Sequence, residues 1–222
     1  MRGIDYRHRG RMSGEAMLAA LRAMPTWDFV AVPDFDRADY ERVFRGVTGI
    51  ENYADFRDFT EGLRDVLGDE PRAAFVKLGA DEVLAWLKEK NERAAPETVG
   101  AFARVKYKFR QKRIEECVEI AKQAIVKNDG ADRVVLATYT EEEFKELHRG
   151  APPHELQYHD HSEIVAGLAA GLKRAFPEIE VVYQPIEAAE YWRYLAKHGY
   201  PDKECYRASF ATEKYDRLHD AK

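Results

Sequence analysis

Four short apolar runs, separated by segments with helical spacing, constrain the fold of this chain more than any other feature. Each run is rich in β-branched or aromatic residues and stops at a proline or a polar turn, as buried strands do. We therefore predict strands at residues 29–32, 74–78, 134–138 and 180–183. Strands that alternate with helices favour a parallel sheet covered on both faces. The pattern predicts an α/β fold with a mainly parallel sheet of about four to five strands flanked by helices.

The segments between these runs carry apolar residues three and four positions apart, which indicates amphipathic helices. Helices, including additional N-terminal ones, are expected at residues 14–24, 38–44, 53–67, 81–90, 141–148, 162–176 and 186–198. Pro96 suits the first turn of one long central helix that ends near Asn128. An edge strand is expected at 206–210. No internal repeat is apparent, and we expect a single α/β domain over 1–222, with 94–96 as the point of any subdivision into halves.

Composition places the chain among globular proteins and excludes several classes. With 45% hydrophobic residues over 222 positions, it can bury a sizeable core without disulfide or metal staples. No apolar run approaches the roughly 18 residues of a membrane span, so no membrane association is expected. Cys117 and Cys205 form no CxxC motif, which excludes a cysteine zinc site. The net charge of −5 and the absence of an apolar leader segment favour the cytoplasm.

The short motifs of several large enzyme classes are absent from the sequence. There is no GxGxxG after a strand, no GxxxxGK[ST] and no GxSxG. These glycines let a backbone approach phosphates closely or hold a nucleophile on a sharp turn, so the chemistry depends on them. Dinucleotide oxidoreductases, P-loop nucleotide hydrolases and α/β-hydrolases are therefore disfavoured.

Two carboxylates follow the first predicted strand. Asp34 and Asp36 stand where open α/β sheets bind ligands, at the carboxyl end of a strand. Such a pair can hold Mg²⁺ for phosphoryl chemistry, because the ion prefers hard oxygen ligands and keeps water for the substrate. We therefore take Asp34 and Asp36 as candidate catalytic residues. The alternative is that one of them caps the following helix, since aspartate is a favoured N-cap.

The segment HELQYHDHSE concentrates potential metal ligands. Imidazole nitrogens and carboxylates are what Zn²⁺ and Mn²⁺ accept, and two histidines in an HxH pair point the same way on an extended segment. The candidate ligands are His154, His159, Asp160, His161 and Glu163. The preceding prolines indicate a loop. One alternative is a solvated loop in which Asp160 or Ser162 caps the next helix, and another is acid–base use of one histidine.

A basic run, ARVKYKFRQKR, is the one strongly positive segment of an acidic chain. Six cations without an intervening acid predict a substrate-binding surface for phosphates: Arg104, Lys106, Lys108, Arg110, Lys112 and Arg113. The interleaved aromatic residues can stack on bases. Nucleic acid or an acidic protein is the expected partner. The alternative is a solvated helix face paired with the glutamates that follow one or two turns later.

The acidic segment 34–70 and the basic segment 104–113 also allow two copies of the chain to associate head to tail. A heterologous contact of this kind would give homo-oligomers that are sensitive to salt.

Together these features favour a divalent-metal-dependent enzyme that acts on a phosphate-containing substrate, either a nucleotide or a nucleic acid. In this reading the two aspartates and the histidine-rich segment hold Mg²⁺, Mn²⁺ or Zn²⁺, and the basic run binds the phosphates. The alternative is a non-catalytic regulatory module that binds nucleic acid or protein through the basic run alone. Dependence on a metal distinguishes the two.

Overall fold

The four expected strands all form, but they do not join into one sheet. In the computed structural model, which describes residues 4–24, 28–45, 52–127, 131–150 and 156–219, they pair two by two. Strand β1 (Val30–Asp34) lies parallel to β2 (Ala73–Lys77), with Val30 opposite Ala73. Strand β3 (Arg133–Thr138) lies parallel to β4 (Glu180–Pro185), with Arg133 opposite Glu180.

The expected parallel sheet of four to five strands is therefore wrong. Of the described residues, 68% are helical, and the strands among them form two sheets of two strands each. The physical reason is the shortness of the strands, which span five or six residues and are mostly only half-buried. Each strand pair packs against helices of its own unit instead of against further strands.

Helices account for the rest of the regular structure. The described residues form nine of them: α1 (Tyr6–Ala23), α2 (Arg37–Val43), α3 (Tyr53–Leu67), α4 (Ala80–Lys90), α5 (Pro96–Lys127), α6 (Glu141–Leu147), α7 (Tyr158–Ala175), α8 (Ala188–His198) and α9 (Glu204–His219). The expected long central helix is confirmed as α5. The expected edge strand at 206–210 is wrong, because it lies inside α9.

The contacts divide the chain into two units. Unit 1 comprises the described residues of Met1–Phe109 together with 156–157, and unit 2 comprises those of Arg110–Pro152 and Tyr158–Lys222. The core of unit 1 is an apolar cluster centred on Phe35, Val76 and Phe102. The core of unit 2 is built around Tyr191 and Phe210, with a second cluster around Leu172.

Glycines allow a very close helix contact in unit 1. Helices α1 and α3 meet at Gly10 and Gly62, where a Cβ atom on Gly10 would lie 2.1 Å from the carbonyl oxygen of Phe59. In unit 2 the second part of α5 also packs closely against α7, but there the side chain of Ile114 fills the space beside Gly167. Each unit thus presents a helix at close range to the helix that precedes its second strand.

The two units share one architecture, which the sequence alone did not reveal. Each follows the order helix, strand, two helices, strand, two helices. The capping contacts also correspond. Asp39 accepts a hydrogen bond from the backbone N–H of Ala80 at 2.9 Å. Glu143 likewise accepts a hydrogen bond from the backbone N–H of Ala188. In both units, then, an acidic side chain in the first turn of the helix after the first strand caps the helix after the second strand.

Side-chain pairs repeat as well. Glu82 is ion-paired with Lys106 in unit 1, and Glu190 is ion-paired with Lys214 in unit 2, at a constant separation of 108 residues. Helices α4 and α8 both end at a residue with positive φ, Asn91 in one and Gly199 in the other. Because left-handed backbone is uncommon outside glycine and asparagine, this match indicates equivalent positions. Corresponding positions in the two units can therefore be compared residue by residue.

Candidate functional site

The two candidate catalytic aspartates lie at the end of β1 and bind protein groups. Arg64 Nη2 donates to Asp34 Oδ2 at 3.2 Å. Asp36 is the N-cap of α2 and accepts from the backbone N–H of Asp39 at 2.9 Å. That hydrogen bond lowers the pKa of Asp36. The capping role offered as the alternative is therefore present at Asp36, while a catalytic role for either residue stays a prediction.

The basic run is part of α5, and two of its six cations point inward. Lys106 is only 2% exposed and Arg110 only 1% exposed. Arg110 donates to Asp160 Oδ1 at 2.5 Å and to Glu163 Oε2 at 2.7 Å, all within unit 2. The exposed cations are Arg104, Lys108, Lys112 and, in part, Arg113. A partner for them, nucleic acid or acidic protein, stays a prediction.

From Tyr158 onward, the histidine-rich segment forms the beginning of a helix instead of a loop. His154 lies outside the described residues, whereas His159, Asp160, His161 and Glu163 occupy the first turns of α7. Successive helical residues are about 100° apart, so His159 and His161 point to different sides and do not form an extended HxH pair. A metal-ligand role for the candidate residues stays a prediction. Asp160 is fully buried and Glu163 half-exposed, and both bind Arg110.

A group of polar residues that the sequence did not single out converges in unit 2. We call it the histidine–arginine cluster, and it comprises His148, His161, Arg207 and Asp202. His148 caps the C-terminus of α6, His161 lies on the first turn of α7, and Arg207 projects from α9. Helix α6 follows β3 directly, so the cluster is positioned beyond the carboxyl end of the strand pair.

Two contacts fix the orientation of the His148 ring. Its Nδ1 lies 2.9 Å from the carbonyl oxygen of Phe144, and its Nε2 lies 2.6 Å from Nη1 of Arg207. Arginine has donors only, so Nε2 must accept. Nδ1 therefore carries the hydrogen and donates it to the carbonyl. In its neutral form, His148 is therefore restricted to a single tautomer.

Arg207 is 8% exposed and is held by several further partners. Its Nη2 donates to the carbonyl oxygen of Leu147 and to both carboxylate oxygens of Asp202, each at 3.3 Å. The hydroxyl of Tyr191 lies 3.1 Å from Asp202 Oδ1. Burial raises the pKa of Tyr191 to about 12, so the phenol stays protonated and donates to the carboxylate.

His161 is neutral because of its surroundings. Burial, with the nearby His148 and Arg207, lowers its pKa to about 4, against the opposing hydrogen bond with the backbone of Ala137. Its ring packs 4.7 Å from that of Tyr139, centre to centre. The cluster thus sets the neutral imidazole of His161 near the guanidinium of Arg207 and the ring of His148.

Two nitrogen atoms of the cluster are buried without a hydrogen-bond partner in the described part of the chain. They are Nε of Arg207, which carries a hydrogen, and Nε2 of His161, which has a free lone pair. Leaving a buried donor or acceptor unpaired costs about 1–3 kcal/mol, and more for a charged group. A ligand that paired with these two atoms would recover this free energy.

Unit 1 carries an apolar version of the same arrangement. Its aromatic cluster consists of Phe35, Tyr40, Phe44 and Phe56. The corresponding cluster of unit 2 consists of Tyr139, Phe144, His148 and His161. Arg207 stands where unit 1 has Val99. Unit 2 therefore has polar side chains at positions where unit 1, which has the same architecture, has apolar ones.

Comparison with protein-family models and with curated protein sequences finds no match for this chain. Among the described residues, no helix combines the length and the apolar character needed to cross a bilayer.

Proposed function

We propose that the protein binds a small phosphate-bearing metabolite in the histidine–arginine cluster of unit 2. The observation that carries the proposal is the pair of buried nitrogens, Arg207 Nε and His161 Nε2, that have no partner in the described structure. The proposal keeps the phosphate-containing ligand expected from the sequence and places its recognition at different residues.

The donor of the pair selects for negative charge. A guanidinium stays protonated at any physiological pH, and its N–H groups match the oxygens of phosphate and carboxylate. Asp202 neutralises part of that charge, but its contacts with Arg207 are long, at 3.3 Å, and its side chain is 35% exposed. An anion can therefore compete for the guanidinium more readily than it could with a short, fully buried pair.

The acceptor of the pair selects for a ligand that carries a hydrogen. Because the pKa of His161 is lowered to about 4, its Nε2 has a lone pair at neutral pH and cannot donate. An oxyanion with a hydroxyl group satisfies both atoms at once, since its charged oxygen accepts from Arg207 and its hydroxyl donates to His161. The monoanionic form of phosphate has this character at neutral pH, whereas sulfate does not.

Isothermal titration calorimetry with inorganic phosphate and with sulfate at pH 7 tests the proposal. We expect phosphate to bind at least about tenfold more tightly than sulfate, which corresponds to about 1.4 kcal/mol and to one hydrogen bond with a charged ligand. His161→Phe should remove the preference for phosphate, since unit 1 has Phe56 at the same position. Arg207→Lys should weaken the binding of both anions, because an ammonium lacks the guanidinium fork.

Arg217→Lys serves as the matched control, because Arg217 lies on the same helix with 61% of its side chain exposed. It should leave both affinities unchanged. If neither anion binds the wild-type protein, or if His161→Phe leaves the preference for phosphate intact, the proposal is wrong.

A further inference from the structure

A separate cavity of about 320 Å³ lies within unit 1. It is bounded by β1 and by parts of α1, α2, α3 and the start of α5. Apart from the hydroxyl groups of Tyr40 and Thr60, the side chains that line it are apolar. Four of them are aromatic: Tyr40, Phe44, Phe56 and Phe59.

Thr60 gives this apolar cavity one polar feature. The residue is 5% exposed, and its Oγ1 is buried with no hydrogen-bond partner among the residues that the structure describes. A threonine inside a helix can hydrogen-bond back to the carbonyl oxygen four residues earlier. Because this hydroxyl makes no such bond, it remains unsatisfied at a cost of about 1–3 kcal/mol unless something in the cavity meets it.

The size of the cavity limits the ligand. An engineered apolar cavity of about 150 Å³ in another protein stays dry and binds benzene. The cavity in unit 1 is about twice as large, so it suits a molecule of two fused rings. Aromatic walls favour an aromatic ligand through edge and offset contacts between rings.

We propose that the cavity of unit 1 binds a bicyclic aromatic molecule with one polar substituent, which hydrogen-bonds Thr60. This site is distinct from the phosphate site proposed above in its unit, its lining and the chemistry of its ligand.

The second unit supplies natural substitutions for testing the cavity. The position of Thr60 in unit 1 corresponds to Val165 in unit 2, and that of Gly100 to Ala208. Gly100 lines the cavity, and a Cβ atom added there would meet no atom within 4 Å. A larger side chain at Gly100 should therefore enter the cavity without displacing its neighbours. It should also suit the helix better than glycine does.

The test uses the full chain and two fluorescent probes, 1-naphthol and naphthalene, titrated at neutral pH. We expect both to bind, with 1-naphthol tighter by about threefold to tenfold, the range of one net hydrogen bond. Thr60→Val should remove this difference and leave naphthalene binding unchanged. Gly100→Leu should abolish the binding of both probes while the Tm stays the same or rises.

Ala208→Leu is the matched control at the corresponding exposed position of unit 2, and it should leave probe binding unchanged. The proposal is overturned if neither probe binds the wild-type protein. It is also overturned if Gly100→Leu lowers the Tm by several degrees, because the space would then be filled in solution. If Thr60→Val still binds 1-naphthol more tightly than naphthalene, Thr60 does not bind the polar substituent and this part of the proposal is wrong.

Discussion

Lys106 Nζ lies 2.8 Å from Glu82 Oε2, and both side chains are almost completely buried, with 3% and 0% exposed. The equivalent pair in unit 2, Lys214 and Glu190, is more accessible, with 16% and 35% exposed. The same ion pair is thus present twice in one chain at two levels of burial. Comparing the two pairs therefore distinguishes the free-energy cost of burying a charged side chain from the stabilisation that the ion pair itself provides.

Lys106→Met should destabilise the protein by about 3–5 kcal/mol, because it leaves the carboxylate of Glu82 buried without its ammonium partner. Lys214→Met should cost less, about 1 kcal/mol, since solvent reaches and partly screens this more accessible pair. Chemical denaturation of the two variants at pH 7 measures both values. Equal losses would show that the burial of Glu82 is not what makes its pair important.

Arg110 holds one buried and one exposed carboxylate, so the two can be compared directly. Asp160→Ala should destabilise by about 3–5 kcal/mol, because Asp160 is fully buried and its loss leaves the guanidinium poorly compensated. Glu163→Ala should cost less than about 1 kcal/mol, because 46% of the side chain of Glu163 is exposed. The shift in the denaturation midpoint gives both results, and a reversed order would contradict the assignment.

The basic run shows why local pattern misjudged exposure. Six cations close together in sequence indicate a charged surface, because burial of lysine or arginine is rare. Lys106 and Arg110 are buried because each meets a carboxylate from another helix: Glu82 on α4 for the first and Asp160 on α7 for the second. Those partners are 24 and 50 residues away, so the local sequence carries no sign of them.

Individual elements were predictable, whereas their assembly was not. Helix α3 begins and ends where the apolar spacing places it, because Asn52 caps its N-terminus and Gly68 follows its end. The partition of the strands into two pairs depends on tertiary packing, which periodicity does not report. The shared architecture was hidden because corresponding positions drift from 104 residues apart, as Asp39 and Glu143, to 108, as Ala80 and Ala188.

The histidine–arginine cluster was missed for the same reason. His148 and Arg207 are 59 residues apart, and neither belongs to a motif. The histidine-rich segment did draw attention to His161, but as a metal ligand in a loop. A comparison of the two halves would have been the only signal, because histidine and arginine replace phenylalanine and valine at corresponding positions.

His161 should make the protein less stable in acid. Its pKa is about 4 when folded and near the ordinary value of 6.5 when unfolded, so the unfolded chain binds more protons between these values. Stability should therefore be fully present above pH 6.5 and fall as the pH drops towards 4, by up to about 3 kcal/mol. His161→Phe should flatten the decline over this range, as measured by denaturation at several pH values.

The control for this measurement is His8→Phe, which makes the same replacement at an exposed position of α1. The control variant should keep the wild-type decline. An unchanged decline in His161→Phe would show that other groups cause the loss of stability in acid.

Glycine should be indispensable at one helix position and unfavourable at another. Gly10→Ala places a Cβ atom 2.1 Å from the carbonyl oxygen of Phe59, so α1 and α3 must move apart and lose apolar contacts. We expect the free energy of unfolding to fall by about 2 kcal/mol or more, because backbone cannot move aside as a flexible side chain can.

Gly100→Ala meets open space in α5, and alanine favours the helix by up to about 1 kcal/mol over glycine. Thermal denaturation should therefore move in opposite directions for the two variants. A loss of stability in Gly100→Ala would show that the space beside this residue is occupied, and tolerance of Gly10→Ala would show that the two helices are farther apart in solution.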